Sequence, residues 1–143
     1  MLLAFPWLFL SFGLYNVLAF ARGSAVSPQD PFNEPIASFK MISGAIWQAS
    51  AGDVLIALTL VFLFFEILKA ARSGSVAIVD HVLSIVLFVL CLVEFLVRRE
   101  AATSVFFIIT LVTFIDVVAG FVLTITRAAQ FDRCPVSHDP GCH

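Results

Sequence analysis

The sequence predicts an all-α polytopic membrane protein, a four-transmembrane-helix bundle with a short interfacial amphipathic helix between the first and second spans. Three observations predict it. Of 143 residues, 61% are hydrophobic and 13% charged, whereas a soluble domain keeps its surface wet with roughly 25% charged residues. Sixteen phenylalanines take up part of the missing polar quota, and mean hydropathy is +1.05. Four stretches, about 2–21, 53–71, 76–97 and 102–126, are mostly apolar, and each approaches the roughly 20 residues needed to cross a ~30 Å hydrocarbon core. A membrane β-barrel would show alternating segments of roughly ten residues instead.

The first span, about 2–21, ends in Ala19-Phe20-Ala21, which resembles the small-x-small site of a cleaved signal peptide. It lacks a basic n-region, and its apolar run exceeds the usual h-region, so a retained span is expected. From Arg22 to Pro35 the composition turns polar and helix-hostile, with Pro28, Pro31, Pro35, Gly23, Asp30 and Glu34. Ile36, Phe39, Ile42 and Ile46 then recur at helical spacing, with Lys40 and Ser43 elsewhere on the wheel. This predicts the amphipathic helix, about 36–49, in the headgroup region with Trp47 as its interfacial anchor. Ser50-Ala51-Gly52-Asp53 matches a capping box, in which serine and acidic side chains satisfy free backbone donors, so a new helix is expected from about Ala51.

Arg72–Ser75 joins the second span to the third, and Arg98–Ala101 joins the third to the fourth. Turns this short require antiparallel neighbours, so the last three spans form an up-down-up meander against which the first packs. Residues 1–133 read as one transmembrane domain and 134–143 as a flexible tail. A net charge of −2 leaves no basic stripe for a nucleic-acid partner. Three cysteines are too few for a disulfide scaffold, and Cys91 stands alone in its span. The positive charges tie under the positive-inside rule: Lys69, Arg72, Arg127 and Arg133 on one face, Arg22, Lys40, Arg98 and Arg99 on the other. The Pro-rich acidic loop has the character of an exported segment, so both termini are expected in the cytoplasm.

Ionisable groups within a membrane are expensive and need a reason. Counting helix rise places Glu66, Asp80, His81 and Asp116 in one half of the membrane, near Lys69, Arg72 and Arg127. A second group, Asp53, Glu94, Arg98, Arg99 and Glu100, collects at the opposite face, with Asn16 close enough to join it. Around the helices, Asp80, Ser84, Cys91, Glu94 and Arg98 form one stripe. Thr103, Thr110, Thr113, Asp116, Gly120, Thr124 and Arg127 form another. Small and hydroxyl residues allow close approach, so the two stripes are expected to face each other. The inner cluster has the donor chemistry of a proton relay or a divalent-cation site. The blander alternative is that its carboxylates pair with Lys69, Arg72 and Arg127 and fix helix register; stretches such as Val54–Phe65, almost wholly apolar, favour that alternative. In the tail, Cys134, His138, Cys142 and His143 could form a tetrahedral metal site, but their spacing fits no common zinc module.

Ser75, Asp80, His81, Leu83, Ser84, Glu94-Phe95-Leu96, Ala102-Thr103-Ser104, Phe106-Phe107 and Asp116-Val117-x-Ala119-Gly120-Phe121 resemble a family of small bacterial four-helix inner-membrane proteins without assigned function. The likeness covers roughly residues 66–131 and implies a bacterial inner-membrane address and no activity; the tail is outside its pattern. No motif matches small multidrug exporters, thiol-oxidising quinone reductases or membrane glutathione transferases. The expectation is a non-enzymatic accessory or structural subunit without cofactor, whose partners are the lipid bilayer and another membrane protein or a second copy. The alternative is a small proton- or cation-handling transporter built on Glu66, Asp80, His81 and Asp116.

Overall fold

The computed structural model describes residues 6–21, 30–72 and 77–131. Along the chain come α1 (Leu8–Ala21), a single-turn α2 (Asp30–Asn33), β1 (Pro35–Lys40), β2 (Ile46–Ser50), α3 (Ala51–Arg72), α4 (Ala77–Val97), a 3-10 turn (Arg99–Ala101) and α5 (Ser104–Phe131). Among the described residues three stretches are long and apolar enough to cross a membrane: Ala51–Ala71, Val79–Val97 and Ser104–Thr126. The fourth apolar helix, α1, has 14 residues and is about 21 Å long at 1.5 Å per residue.

The expected interfacial helix over 36–49 is not formed. The segment is an antiparallel hairpin, with Ala37 opposite Ala49, Ser38 opposite Gln48, Phe39 opposite Trp47 and Lys40 opposite Ile46. The isoleucines do recur at helical spacing, but Ser43-Gly44 breaks the run at its centre. Gly44 takes φ +85°, a left-handed conformation available to glycine at little cost. The Met41 amide donates to the Ala45 carbonyl at 2.8 Å and the Gly44 amide to the Met41 carbonyl at 2.9 Å, closing the turn. Directly opposed residues share a face, so Ala37, Ala49, Phe39 and Trp47 form an apolar side. Ser38, Gln48, Lys40 and Ile46 form the other. The Phe39 and Trp47 rings stack with centroids 5.8 Å apart.

The loop before the hairpin also contains more order than its prolines suggest. Pro31 falls in the first turn of α2, where its missing amide costs nothing. Phe32 is buried and stacks on Tyr15 of α1, centroids 4.7 Å apart and planes 1° from parallel. A Cβ on Gly52 would lie 2.8 Å from Val105 Cγ2 and 3.0 Å from the Phe32 carbonyl oxygen, so this glycine lets α2, α3 and α5 meet closely.

The capping box forms as the sequence implies. Ser50 donates its amide and hydroxyl to the Asp53 carboxylate at 2.9 and 2.8 Å, and the Asp53 amide donates back to Ser50 Oγ at 3.2 Å. The strand therefore passes directly into α3.

The helices alternate in direction. At one end, the Trp7 amide before α1 donates to the Glu66 carboxylate near the end of α3. At the other, the Tyr15 hydroxyl donates to the Glu100 carbonyl at 2.9 Å and lies 2.7 Å from Thr103 Oγ1. Leu8, Tyr15, Leu55, Leu87, Phe106, Ile109 and Val112 fill the centre. Burial is inverted relative to a soluble bundle. Ser11, Thr59, Glu66, Asp80, Ser84, Thr110, Thr113 and Asp116 are buried, while Val61, Phe64, Phe65, Val86, Val89, Val93, Leu111 and Ile115 are exposed.

Candidate functional site

The site is assembled by four elements around Lys69. Its ammonium lies 2.7 Å from Glu66 Oε2, one turn earlier on α3, and 2.9 Å from Asp80 Oδ1 on α4. Glu66, only 2% exposed, also accepts the Trp7 amide. A pair three residues apart shares a helix face, so α3 supplies one acid and its counter-ion together, and α4 brings the second acid to the same ammonium.

Asp116 on α5 is 8% exposed and is hydrogen-bonded to Ser84 on α4. Cys91 and Thr113 are likewise hydrogen-bonded across the α4–α5 contact. The two polar stripes therefore face each other over their central part, as their spacing predicts. Gly120 is what lets His81 in: a Cβ there would lie 2.5 Å from His81 Nδ1.

Glu66, Asp80, His81, Ser84, Asp116 and Thr124 line a cavity of about 20 Å³. A water needs roughly 10–15 Å³ of such space and two or more polar partners, so the cavity can take about one. His81 Nδ1 is buried without a hydrogen-bond partner among the described residues.

All four inner residues named from sequence, Glu66, Asp80, His81 and Asp116, thus border one cavity. Their expected partners resolve differently. Lys69 is engaged, whereas the side chains of Arg72 and Arg127 fall outside those described. Among the described residues no group of three or more Asp, Glu, His or Cys side chains is placed to hold a metal ion. The tail positions Cys134, His138, Cys142 and His143 lie outside the described residues.

Among the described residues no ion pair joins the opposite-face residues Asp53, Glu94, Arg98 and Arg99, and their contacts are separate. Asp53 is engaged by Ser50 in the capping box. Glu94 accepts from Asn16 Nδ2 at 3.2 Å, and the Arg98 guanidinium sits 5.1 Å from the Phe20 ring centroid. Arg99 is exposed in the 3-10 turn. Glu94 and Arg98 thus contact Asn16 and Phe20 in the second half of α1. Two contributors were not legible as site residues. Tyr15 could have been: a lone tyrosine in an apolar span has a hydroxyl that must find a partner. The Trp7 contact uses a backbone amide, which carries no side-chain signature.

No protein-family profile, curated protein or solved structure matches the chain.

Proposed function

We propose that this chain is a non-enzymatic integral membrane protein of the bacterial inner membrane, an accessory or structural subunit that works through helix–helix contacts. In this reading α1, α3, α4 and α5 all span, with both termini in the cytoplasm. One observation carries it: the hydroxyls and ion pairs of the central layer and of the Lys69 cluster are bonded to one another or to their own helices, Ser11 Oγ and His81 Nδ1 being the exceptions among the described residues, while the outward faces are broad and apolar. Thr59 donates to the Leu55 carbonyl at 2.7 Å, Thr110 to Phe106 at 2.9 Å and Thr113 to Thr110 at 2.8 Å. Leu55, Leu87, Phe106, Ile109 and Val112 pack between the two polar ends. A conducting path would need polar groups through that layer, and these hydroxyls face their own carbonyls. The exposed apolar faces of α3, α4 and α5 are available to lipid or to neighbouring helices, where van der Waals packing drives association.

Extraction in mild detergent followed by copurification mass spectrometry tests the reading. A stoichiometric partner, or a defined homo-oligomer, is the expected result. A monodisperse monomer that moves protons or cations in proteoliposomes, with flux lost in Asp116→Asn, would replace it with the second reading. That second reading, a small proton- or cation-handling transporter, is favoured by the cavity beside Asp116 and by His81 Nδ1, which is buried without a hydrogen-bond partner among the described residues.

A further inference from the structure

We propose that the hairpin β1–β2 is a membrane-surface anchor, its Phe39–Trp47 face and Met41–Ile42 tip lying in the headgroup–acyl boundary of one lipid leaflet. The inference rests on the reading above in one respect, that α3 crosses the bilayer. Its starting point is an exposed apolar surface on a short, well-paired element. Phe39 is 54% exposed, Trp47 49%, Met41 50% and Ile42 fully exposed. Water would be a poor environment for that cluster. The stacked Phe39–Trp47 pair makes it a rigid plate and not a set of scattered side chains.

Three features select a lipid surface as the occupant. The first is position. Ser50, the last residue of β2, caps α3, so the hairpin is rooted where the apolar span begins and cannot stand far from the bilayer surface. Phe32 packed on Tyr15, with Gly52 against Val105, fixes that root at the end of the bundle that carries Arg98 and Arg99. The second is continuity. A mostly apolar groove, lined by Leu14, Leu18, Ile36, Val54 and Leu58 with Glu34 as its one charged residue, runs from the outward sides of α1 and α3 to the hairpin root. The third is charge. Residues 35–50 contain one cation, Lys40, and no carboxylate. Lys40 lies on the face opposite the aromatic pair and lines the same surface recess as Phe39 and Trp47. A lysine beside an apolar plate buries its stem and lifts its ammonium to the phosphates, and tryptophan favours that depth. A β-hairpin with one apolar face can lie in the interface as an amphipathic helix does, with its backbone donors satisfied by the ladder.

Trp7 and Trp47 are the two tryptophans, and they lie at opposite ends of the bundle, so each can be read alone. Trp7→Phe leaves Trp47 as reporter, and Trp47→Phe leaves Trp7. Each variant is reconstituted in phosphatidylcholine–phosphatidylglycerol vesicles, with or without a phospholipid brominated near its headgroup end, and titrated with aqueous acrylamide. In Trp7→Phe the brominated lipid should reduce Trp47 emission by about twofold, with weak acrylamide quenching, as interfacial burial implies. Free acrylamide access without lipid quenching would put the hairpin in water. Shielding from both quenchers would mean a protein covers it. Either result overturns the anchor while Trp7 in the Trp47→Phe variant, still quenched by lipid, leaves the spanning bundle intact. If neither tryptophan feels the lipid, both readings fall. A second probe avoids the Trp7 substitution: Ile42→Cys labelled with an environment-sensitive fluorophore, in a chain whose Cys134 and Cys142 are serine. Its emission should shift to the blue on reconstitution, and a label that stays water-like overturns the proposal.

Discussion

Replacing Lys69 with methionine is the most informative single perturbation of the polar cluster. Methionine keeps most of the stem volume and removes only the ammonium. In the native bundle that ammonium is shared by Glu66 at 2.7 Å and Asp80 at 2.9 Å, with side-chain exposures of 2% and 10%. After the change Glu66 retains the Trp7 amide, and Asp80 loses the cation that its Oδ1 contacts. Breaking one buried pair costs about 3–5 kcal/mol, because the surviving charge is left uncompensated. Here two carboxylates lose one shared cation and face each other, which places the loss near the upper end, about 5 kcal/mol. That corresponds to an unfolding equilibrium shifted by between three and four powers of ten, at roughly 1.4 kcal/mol for each. The measurement is SDS-induced unfolding in mixed micelles at neutral pH, followed by circular dichroism. The triple variant Glu66→Gln, Lys69→Met, Asp80→Asn should recover most of the loss, since neutral partners leave no orphaned charge. Lys69→Met within about 1 kcal/mol of the native protein, well below the cost of an orphaned buried charge, would refute the reasoning. So would a triple variant no more stable than the single one.

Three further outcomes follow from the geometry. Gly120→Ala should destabilise by about 1–3 kcal/mol, the usual cost of overpacking, because its Cβ meets His81 Nδ1; adding His81→Ala should restore part of it in the same unfolding assay. Tyr15→Phe removes a hydroxyl that bonds the Glu100 carbonyl and Thr103 and should cost about 1–3 kcal/mol by leaving buried partners unsatisfied, read as a shift in thermal midpoint in detergent. For topology, a reporter active only in the periplasm should be active when inserted near Gln29 and silent when fused after Arg133; the reverse pattern would invert the orientation and leave the fold standing.

The parts of the fold legible in the sequence were those set by a single strong physical signal. Apolar length alone located α3, α4 and α5, and the Ser50–Asp53 pattern placed the start of α3 near Ala51, where it begins. The inner cluster was legible because helix rise converts sequence position into depth, and Glu66, Asp80, His81 and Asp116 do border one cavity. The hairpin is not legible from periodicity because two periods compete in residues 36–49. Ile36, Phe39, Ile42 and Ile46 follow a helical step, whereas Ala37, Phe39 and Met41, then Trp47 and Ala49, follow the strand step of two. Ser43-Gly44 between two runs rich in β-branched and aromatic residues was the deciding signal, a glycine-containing loop of hairpin length. In the outer group, shared depth was not enough. Asp53 had a closer partner in Ser50, and a local hydrogen bond formed within one turn takes precedence over a distant charge.

On the proposed reading that α3 spans the bilayer, the three-residue spacing of Glu66 and Lys69 has a consequence for how the chain would enter the membrane. A lone charged residue at the centre of an inserting helix costs about 2.5–3.5 kcal/mol. These two are neighbours on one helix face, 2.7 Å apart, so they can neutralise each other as soon as α3 is helical, while α4 is still being synthesised. The third segment to emerge then meets a cation already in place for Asp80. Order of synthesis thus matches order of charge compensation, and no intermediate need wait in lipid with an unmatched acid on α3. A lysine transplanted to α4 could serve the finished bundle equally well, yet it would leave Glu66 unaccompanied during the interval in which the ribosome completes the next helix.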